Sequence, residues 1–271
     1  MKTLFVTLTY NHHELIEQLG NSLKKKVTGD WHWLIRDNSD PSDNRTGVVA
    51  SNLNHKFDDR IIYTRRKNEG TFSSQHNELM REGYFDKYDY ICLLNDDTIA
   101  ATDFLPVMLS KFSDIDIGAV GATLFFPDGR LQHCGIIFHN DGLPCNINYA
   151  VMEKLNLWRT IPNVDREYLA VTGACLLMKV SDYKALNGMD EDFQWCFDDV
   201  DLCLRIGTVL KKKCVVAAEA KLVHIENFST LKNPTNLKPN FKDAWPLLRK
   251  KHGHDLKENW LNYTMDYGKL K

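Results

Sequence analysis

No run of 18 consecutive apolar residues occurs in the 271-residue chain, so no transmembrane helix is expected. The opening MKTLFVTLTYN has too short an apolar run for a signal peptide and reads as a first strand. There is no CxxC pair. Seven cysteines, at 92, 134, 145, 175, 196, 203 and 214, are odd in number and unpatterned, which argues against a disulfide framework and a structural zinc site. Most lie in apolar runs (CLL, ACLLM, CVVAA), where a reduced thiol acts as a small hydrophobe, as in a reducing cytoplasm. GxxxxGK[ST], GxGxxG and GxSxG are all absent, which excludes a P-loop, a dinucleotide fingerprint and a hydrolase elbow. A net charge of −2 supplies no global basic field for nucleic acid or an anionic membrane. Arg65-Arg66-Lys67 and Arg249-Lys250-Lys251 are local patches that read as solvated faces. No internal repeat or low-complexity segment is seen.

What is present is an ordinary globular composition, 43% hydrophobic and 26% charged, long enough for one large α/β domain or a domain with a small appendage. Residues 3–9, 31–36, 61–64 and 89–94 read as strands. Between them, HHELIEQLGNSLKKK carries Leu15, Ile16, Leu19 and Leu23 at helical spacing, and SSQHNELMREGYF is a second helix. This alternation predicts a mainly parallel sheet with helices on both faces, whose ligands bind beyond the carboxyl ends of the strands. Polar clusters stand at three of those ends: Tyr10-Asn11, Asp37-Asn38-Ser39 and Asn95-Asp96-Asp97. After residue 100 the pattern is mixed. DFLPVMLSKF is helical, IGAVGATLFF a strand and PDGRLQHCGIIFHNDG a hairpin-like excursion. YLAVTGACLLMKV is a strand pair or a strand with a glycine break, residues 181–187 start a helix, and KCVVAAEAKLVHIEN is another strand.

Four constellations carry candidate chemistry. Alternation along the strand ending at Leu94 puts Asn95 and Asp97 on one face and Asp96 on the other. Oxygen ligands at that spacing suit Mg2+ or Mn2+, and an ordinary capped turn accounts for the same residues. In FDDVDLCLRIG, a helix from Val200 pairs Asp201 with Arg205 at i,i+4 and sets Asp198 and Asp199 at its N-terminus. The dipole alone favours carboxylates there by about 0.3–1 kcal/mol. The chemical reading makes one of them a general base aimed into a cleft. Phe193, Trp195 and Phe197 just before them either wall an acceptor pocket or belong to the core. His224 ends an apolar strand; alone it reads as structural, and with the distant Asp pair it becomes a candidate metal ligand. In RRKNEGTFSSQHN, Asn68 and Gly70 open a helix whose N-terminus suits a phosphate or an ordinary turn alike.

In this order the segments resemble the family 2 glycosyltransferases, inverting metal-dependent enzymes with the GT-A fold that use a nucleotide-sugar, over residue 3 to about 230. LTYNHHELIEQLGNSL is similar to the family's P-T-Y-N opening, with Leu8 for the proline, which implies Thr9, Tyr10 and Asn11 beside the donor. DNSDPSD resembles D-N-x-S-x-D, with Asp37 reading the nucleobase. NEGTFSSQHN resembles the N-x-G segment, which implies Asn68, Gly70 and Asn77 at the donor. NDD falls at the D-x-D position. The resemblance gives Asp97 the metal, Asn95 a ribose or a water, and Asp96 ribose or a backbone cap. TGACLLMKVSDYKALNGMDEDF resembles the stretch from G-A to G-x-D-E-x-F, with Gly173 on the acceptor side. FDDVDLCLR resembles E-D-x-D-L-x-x-R: Asp199 is the implied base, and Asp198 (for the usual Glu), Trp195 and Arg205 are implied at the acceptor. VHIENFST resembles H-x-x-x-x-S, with His224 as metal ligand. FPDGRLQHCGIIF, around Gly129, looks like a rhamnosyltransferase-like subgroup common in bacterial surface-polysaccharide synthesis.

The resemblance implies an α/β GT-A fold, a Rossmann-like mainly parallel sheet with helices on both faces and a mixed second half. Residues 1–230 form the catalytic domain, with a nucleotide half over about 1–100 and an acceptor half over about 101–230, and 231–271 form a helical extension. The implied reaction moves a hexosyl or deoxyhexosyl group from a UDP-, dTDP- or GDP-linked donor to a saccharide or lipid-linked acceptor. Mn2+ or Mg2+ on Asp97 and His224 acts as Lewis acid, and Asp199 takes the acceptor proton. A cytoplasmic location is implied, with no nucleic-acid partner. The extension, with Trp245, Arg249, Lys250, Lys251 and Trp260, suits a packed terminal helix. It also suits a cover for the acceptor cleft, a dimer contact in a homo-oligomer, or a peripheral contact at the inner membrane face. Two rivals stand beside this reading. A sugar-phosphate nucleotidyltransferase would carry a Gly-rich, Arg/Lys-bearing signature where this chain has TYNHHE. A non-catalytic carbohydrate- or partner-binding domain is favoured by Asn95 and Asp198 and opposed by Asp97, Asp199 and His224.

Overall fold

The apolar runs of the first hundred residues become strands covered on both faces, as a parallel sheet requires. The computed structural model describes residues 1–138, 143–148, 164–194, 196–225 and 241–253. Strands β1 (Thr3–Thr9), β2 (Trp31–Asp37), β3 (Ile61–Arg65) and β4 (Tyr90–Leu94) run parallel in the order β3-β2-β1-β4. Helices α1 (His13–Lys26), α2 (Arg45–Lys56) and α3 (Phe72–Arg81) connect them. Alternation divides the core. Phe5, Trp33 and Ile35 pack with Ile16 and Leu19 of α1 and Leu53 of α2 on one face. Leu4, Val6 and Leu34 pack with Leu79 of α3 on the other. Helix α3 begins at a capping box in which Thr71 and Ser74 satisfy each other's backbone N–H groups.

The mixed second half builds outward from β4. It comprises β5 (Thr98–Ala100), α4 (Phe104–Lys111), β6 (Ile117–Phe125), β7 (Leu131–His133), β8 (Ile136–Phe138), β9 (Pro144–Asn146), β10 (Arg166–Tyr168), β11 (Cys175–Lys179), α5 (Val180–Ala185), α6 (Asp198–Thr208), β12 (Lys213–His224) and α7 (Phe241–His252). The sheet order is β10-β12-β6-β11-β4-β1-β2-β3, with β5 added to β12 and β7 to β6. Strand β11 is wedged antiparallel between β4 and β6, which ends the regular alternation. The excursion after β6 splits: β7 returns along β6 and β8 pairs with β9, while residues 139–142 lie outside the described residues.

Of the extension, residues 241–253 are described. Helix α7 buries Ala244 and Leu248 in the core on the α3 side. His252 Nε2 meets Asp201 Oδ1 of α6 at 2.7 Å, and Lys251 pairs with Asp190 and Asp192. Trp260 and any second terminal helix fall outside the described residues. All seven cysteines are free. Among the described residues no helix is long and apolar enough to cross a membrane.

Candidate active site

The strand order reverses between β1 and β4, and the polar clusters meet at that switch point, beyond the carboxyl ends of the strands. The turns after β1 and β2 are laced together. Asn38 N–H donates to the Thr9 carbonyl at 2.8 Å, Asn11 N–H to Ser39 Oγ at 2.9 Å, and Asn11 Nδ2 to Asp40 Oδ2 at 2.9 Å. Tyr10 is exposed and donates its hydroxyl to Asp40 at 3.0 Å. Asp37 is wholly buried under this corner. It accepts from Ser39 N–H at 2.9 Å and from the Tyr63 hydroxyl at 2.6 Å, so a nucleobase would have to displace Tyr63 to reach it. Burial first, then Asp37, raises the Tyr63 pKa and keeps it the donor.

After β4 the side chains diverge as alternation requires. Asp96 turns to β1, accepting from Thr9 Oγ1 at 2.7 Å and meeting His12 Nδ1 at 3.0 Å. Asn95 and Asp97 turn the other way, to His224. Strand β12 carries His224 there because it pairs antiparallel with β5, His224 opposite Thr98. Asp97 Oδ1 lies 3.1 Å from His224 Nε2, and Asn95 Nδ2 lies 3.4 Å from the same nitrogen. His224 Nδ1 lies 2.7 Å from Gln132 Oε1.

The donor set fits a divalent cation. The Nδ1 side of His224 is held by the Gln132 amide oxygen, so its Nε2 is the nitrogen that faces the Asp97 carboxylate, at 3.1 Å, a spacing that a shared cation would satisfy. Ligands on one octahedral ion, with bonds of about 2.1 Å at right angles, stand roughly 3 Å apart. The carboxylate suits Mn2+ or Mg2+, the imidazole favours the softer Mn2+ of the two, and a pair of ligands leaves positions open for phosphate oxygens. Among the described residues no group of three or more His, Cys, Asp and Glu comes together to hold a metal ion, so this corner offers a pair of such ligands, Asp97 and His224.

The second corner is the carboxylate pair opening α6. Phe197 precedes it in the left-handed region, φ 66°, a strained position for a bulky residue. Asp199 accepts from Gly173 N–H at 2.8 Å and Val200 N–H at 2.8 Å, and the Thr172 hydroxyl also bonds it. These donors hold the carboxylate in a fixed orientation. Gly173 permits the approach, since a Cβ there would sit 3.2 Å from the Asp199 Cβ. The adjoining Ala174 carbonyl accepts Asn95 N–H at 3.0 Å, so residues 173 and 174 join the Asp199 corner to the Asp97–His224 corner.

Asp198 is less well supplied: Ser73 Oγ of α3 is 3.5 Å away, and Asp199 N–H donates at 3.1 Å. Burial, then the Asp199 charge, pushes its pKa up to about 7, while burial also raises Asp199 against the pull of its hydrogen-bond donors. A raised carboxyl pKa favours the protonated form in the fold. The stability this lends is complete below the ordinary value of 3.8 and is lost as pH rises through about 7. Asp198→Asn should flatten that decline. Urea midpoints measured across the interval test it, and an unchanged slope would assign the titration to another group.

Two expected site residues, Asn77 and Arg205, are committed to other partners. Asn77, expected at the donor, is structural. Its oxygen accepts from Tyr183 Oη at 2.9 Å and Met189 N–H at 2.8 Å, and its nitrogen donates to the Met189 carbonyl at 2.8 Å and Glu191 Oε1 at 2.9 Å. All four positions of the amide are filled, and none remains for a nucleotide. Arg205, expected at the acceptor, gives Nε to Asp201 at 2.7 Å and Nη1 to the carbonyls of Leu186 and Gly188 at 3.1 and 2.9 Å. Asn68 and Gly70 stand exposed before α3, with Gly70 at φ +92°. Trp195 lies outside the described residues. Gln132, Tyr63, His12 and Thr172 were not foreseen, because each acts through a partner remote in the chain.

The family model for Glycosyl transferase family 2 matches residues 5–142. The chain is 28% identical over 151 residues to the uncharacterized protein y4gI of Sinorhizobium fredii. It is 30% identical over 138 residues to the O-antigen biosynthesis protein RfbC of Myxococcus xanthus. These alignments take in 55% and 51% of this chain but 16% and 11% of those proteins, so the chain spans a small part of the length of the curated relatives it matches. Its fold is similar to that of GalNAc-T7 crystallised with UDP, GalNAc and Mn2+. There the TM-score is 0.66 at 10% identity, over 82% of this chain and 43% of that one. It is also similar to the mannosyltransferase PcManGT from Pyrobaculum calidifontis in complex with GDP-Man and Mn2+. That match has a TM-score of 0.60 at 12% identity, over 83% of this chain and 56% of that one.

Proposed function

The chain belongs to glycosyl transferase family 2 and has the fold of the GT-A glycosyltransferases, and from that premise we propose that it moves a sugar from a nucleotide-sugar to a saccharide acceptor with inversion. The observation that carries the proposal is the paired corner. Asp97 and His224 converge at 3.1 Å, and residues 173 and 174 link them to Asp199.

Asp97 and His224 would hold a divalent cation, which when bound would supply Lewis-acid neutralisation of the departing diphosphate. Asp199 then takes the proton of the acceptor hydroxyl, its orientation kept by Gly173, Val200 and Thr172. Environment distinguishes the two neighbouring carboxyls: burial raises both pKa values, and Asp199 has more hydrogen-bond donors pulling against that rise than Asp198. One ionised base and a direct attack opposite the leaving group invert the anomeric centre. Thr9, Tyr10 and Asn11 line the donor side, with Asp37 behind Tyr63, which a nucleobase would displace to reach it, and Asp96, tied to Thr9 and His12, stiffens the turn. The two similar structures, solved with UDP or GDP-Man and Mn2+, support a nucleotide-sugar and a divalent cation. The likeness to an O-antigen biosynthesis protein supports a saccharide acceptor in surface glycan synthesis, free or on a lipid carrier.

The test is a panel of UDP-, dTDP- and GDP-sugars with free and lipid-linked saccharides, with Mn2+ or Mg2+, read by mass spectrometry. One donor should yield a glycosylated product and a nucleoside diphosphate, and EDTA should stop it. Donor binding without turnover on any acceptor would favour a non-catalytic domain. Nucleotide sugar made from a sugar phosphate would favour a nucleotidyltransferase.

A further inference from the structure

Gln132 belongs to the FPDGRLQHCGIIF segment, and the reaction above gives it no part. Its placement is unusual. The turn after β6 is closed by Phe126 N–H on the Arg130 carbonyl at 2.8 Å and Gly129 N–H on the Phe126 carbonyl at 2.9 Å, with Gly129 at φ 84°. On the return, Phe125 pairs with Leu131 and Leu124 with His133. Gln132 is the extra residue of that step, a β-bulge, and bulges beside active sites re-aim a side chain. Strand β12 runs along the other side of the same end of β6, Val223 opposite Phe125. The bulge therefore turns Gln132, which is 5% exposed, toward His224, the next residue of β12.

Two hydrogen bonds fix the pair. Gln132 Nε2 donates to the His224 carbonyl at 3.1 Å. A backbone carbonyl only accepts, so the amide nitrogen must lie there and the amide oxygen must face the ring. That oxygen is 2.7 Å from His224 Nδ1, so Nδ1 carries the proton. We propose that Gln132 is a positioning residue that locks His224 in the Nδ1–H tautomer and so keeps Nε2 free to bind the cation. Metal-binding histidines commonly need such a partner on their second nitrogen. The bland reading, a buried glutamine satisfied by whatever lies near, predicts no effect on the tautomer. The cation part rests on the function proposed above; the tautomer part does not.

Nitrogen-15 spectra of histidine-labelled, metal-free protein at alkaline pH test the tautomer, with His224→Ala assigning the signal. His224 should carry its proton on Nδ1. In Gln132→Leu, Nδ1 has lost its acceptor and the Asp97 carboxylate draws the proton to Nε2, which blocks the ligand nitrogen. Mn2+ binding, followed by the paramagnetic resonance of the free ion with and without UDP or GDP, should then weaken about 10–100-fold. Gln132→Glu restores an acceptor for Nδ1–H and should recover both the tautomer and most of the affinity. An unchanged tautomer in Gln132→Leu overturns the proposal, as does unchanged Mn2+ affinity beside a wild type that binds. A wild type that binds no Mn2+, with the tautomer shifting as expected, overturns the metal reading and leaves the lock standing.

Discussion

Asp199→Asn should lower the transfer rate about 10²–10⁴-fold, the usual worth of a positioned base, and leave donor affinity nearly intact. The substitution is close to isosteric and removes only proton affinity. The donor corner depends on other residues: Asp37, Asp96 and the laced turns after β1 and β2 make no contact with Asp199 among their hydrogen bonds. The amide brings a local cost, because Asp199 accepts from Gly173 N–H and Val200 N–H, and an NH2 group turned to either meets a donor. A thermal melt separates that cost from the chemical effect. Calorimetric titration with the donor should give a dissociation constant within a few-fold of wild type while product formation disappears. Loss of donor binding in a folded variant, or transfer at the wild-type rate, would remove Asp199 from the role of base. Asp198→Asn is the natural control, since its neighbour keeps its hydrogen-bond donors Gly173, Val200 and Thr172.

What the sequence foretold and what it missed divide by chain distance. The strands ending at Thr9, Asp37 and Leu94 are legible because apolar runs stop at polar clusters, and alternation alone separates Asp96 from Asn95 and Asp97. The Asp201–Arg205 pair is legible too, from its i,i+4 spacing. Residues whose partners arrive from afar are not. Asn77 looks like a donor ligand in its segment, yet its partners Tyr183, Met189 and Glu191 come from more than a hundred residues along the chain. Arg205 is drawn to carbonyls of a turn that its own helix does not announce. Gln132 and His224 are 92 residues apart, and the bulge that joins them breaks the period on which strand reading depends. Asp37 is a partial case. Its position at the end of β2 is foreseeable, and its cover by Tyr63 is not.

Asp97→Ala should abolish cation-dependent donor binding and transfer together. Asp97 is the anionic member of the pair with His224, and its neighbour Asn95 offers only a neutral amide. Loss of a partner that merely orients a ligand already weakens metal binding about 10–100-fold, so loss of the charged ligand itself should exceed about 100-fold. The fold has little stake in the side chain. The contact that ties this turn to β12, Ile225 N–H on the Asp97 carbonyl at 2.9 Å, belongs to the backbone and survives truncation. A folded variant is therefore expected, with residual nucleotide affinity from the Asp37 corner that neither Mn2+ nor EDTA alters. Wild type in EDTA should behave the same way, and the two losses should not add, because both remove one ion. Full activity of Asp97→Ala in EDTA would refute the assignment. Separate, additive losses would mean that the cation sits elsewhere and that Asp97 and His224 share only a proton.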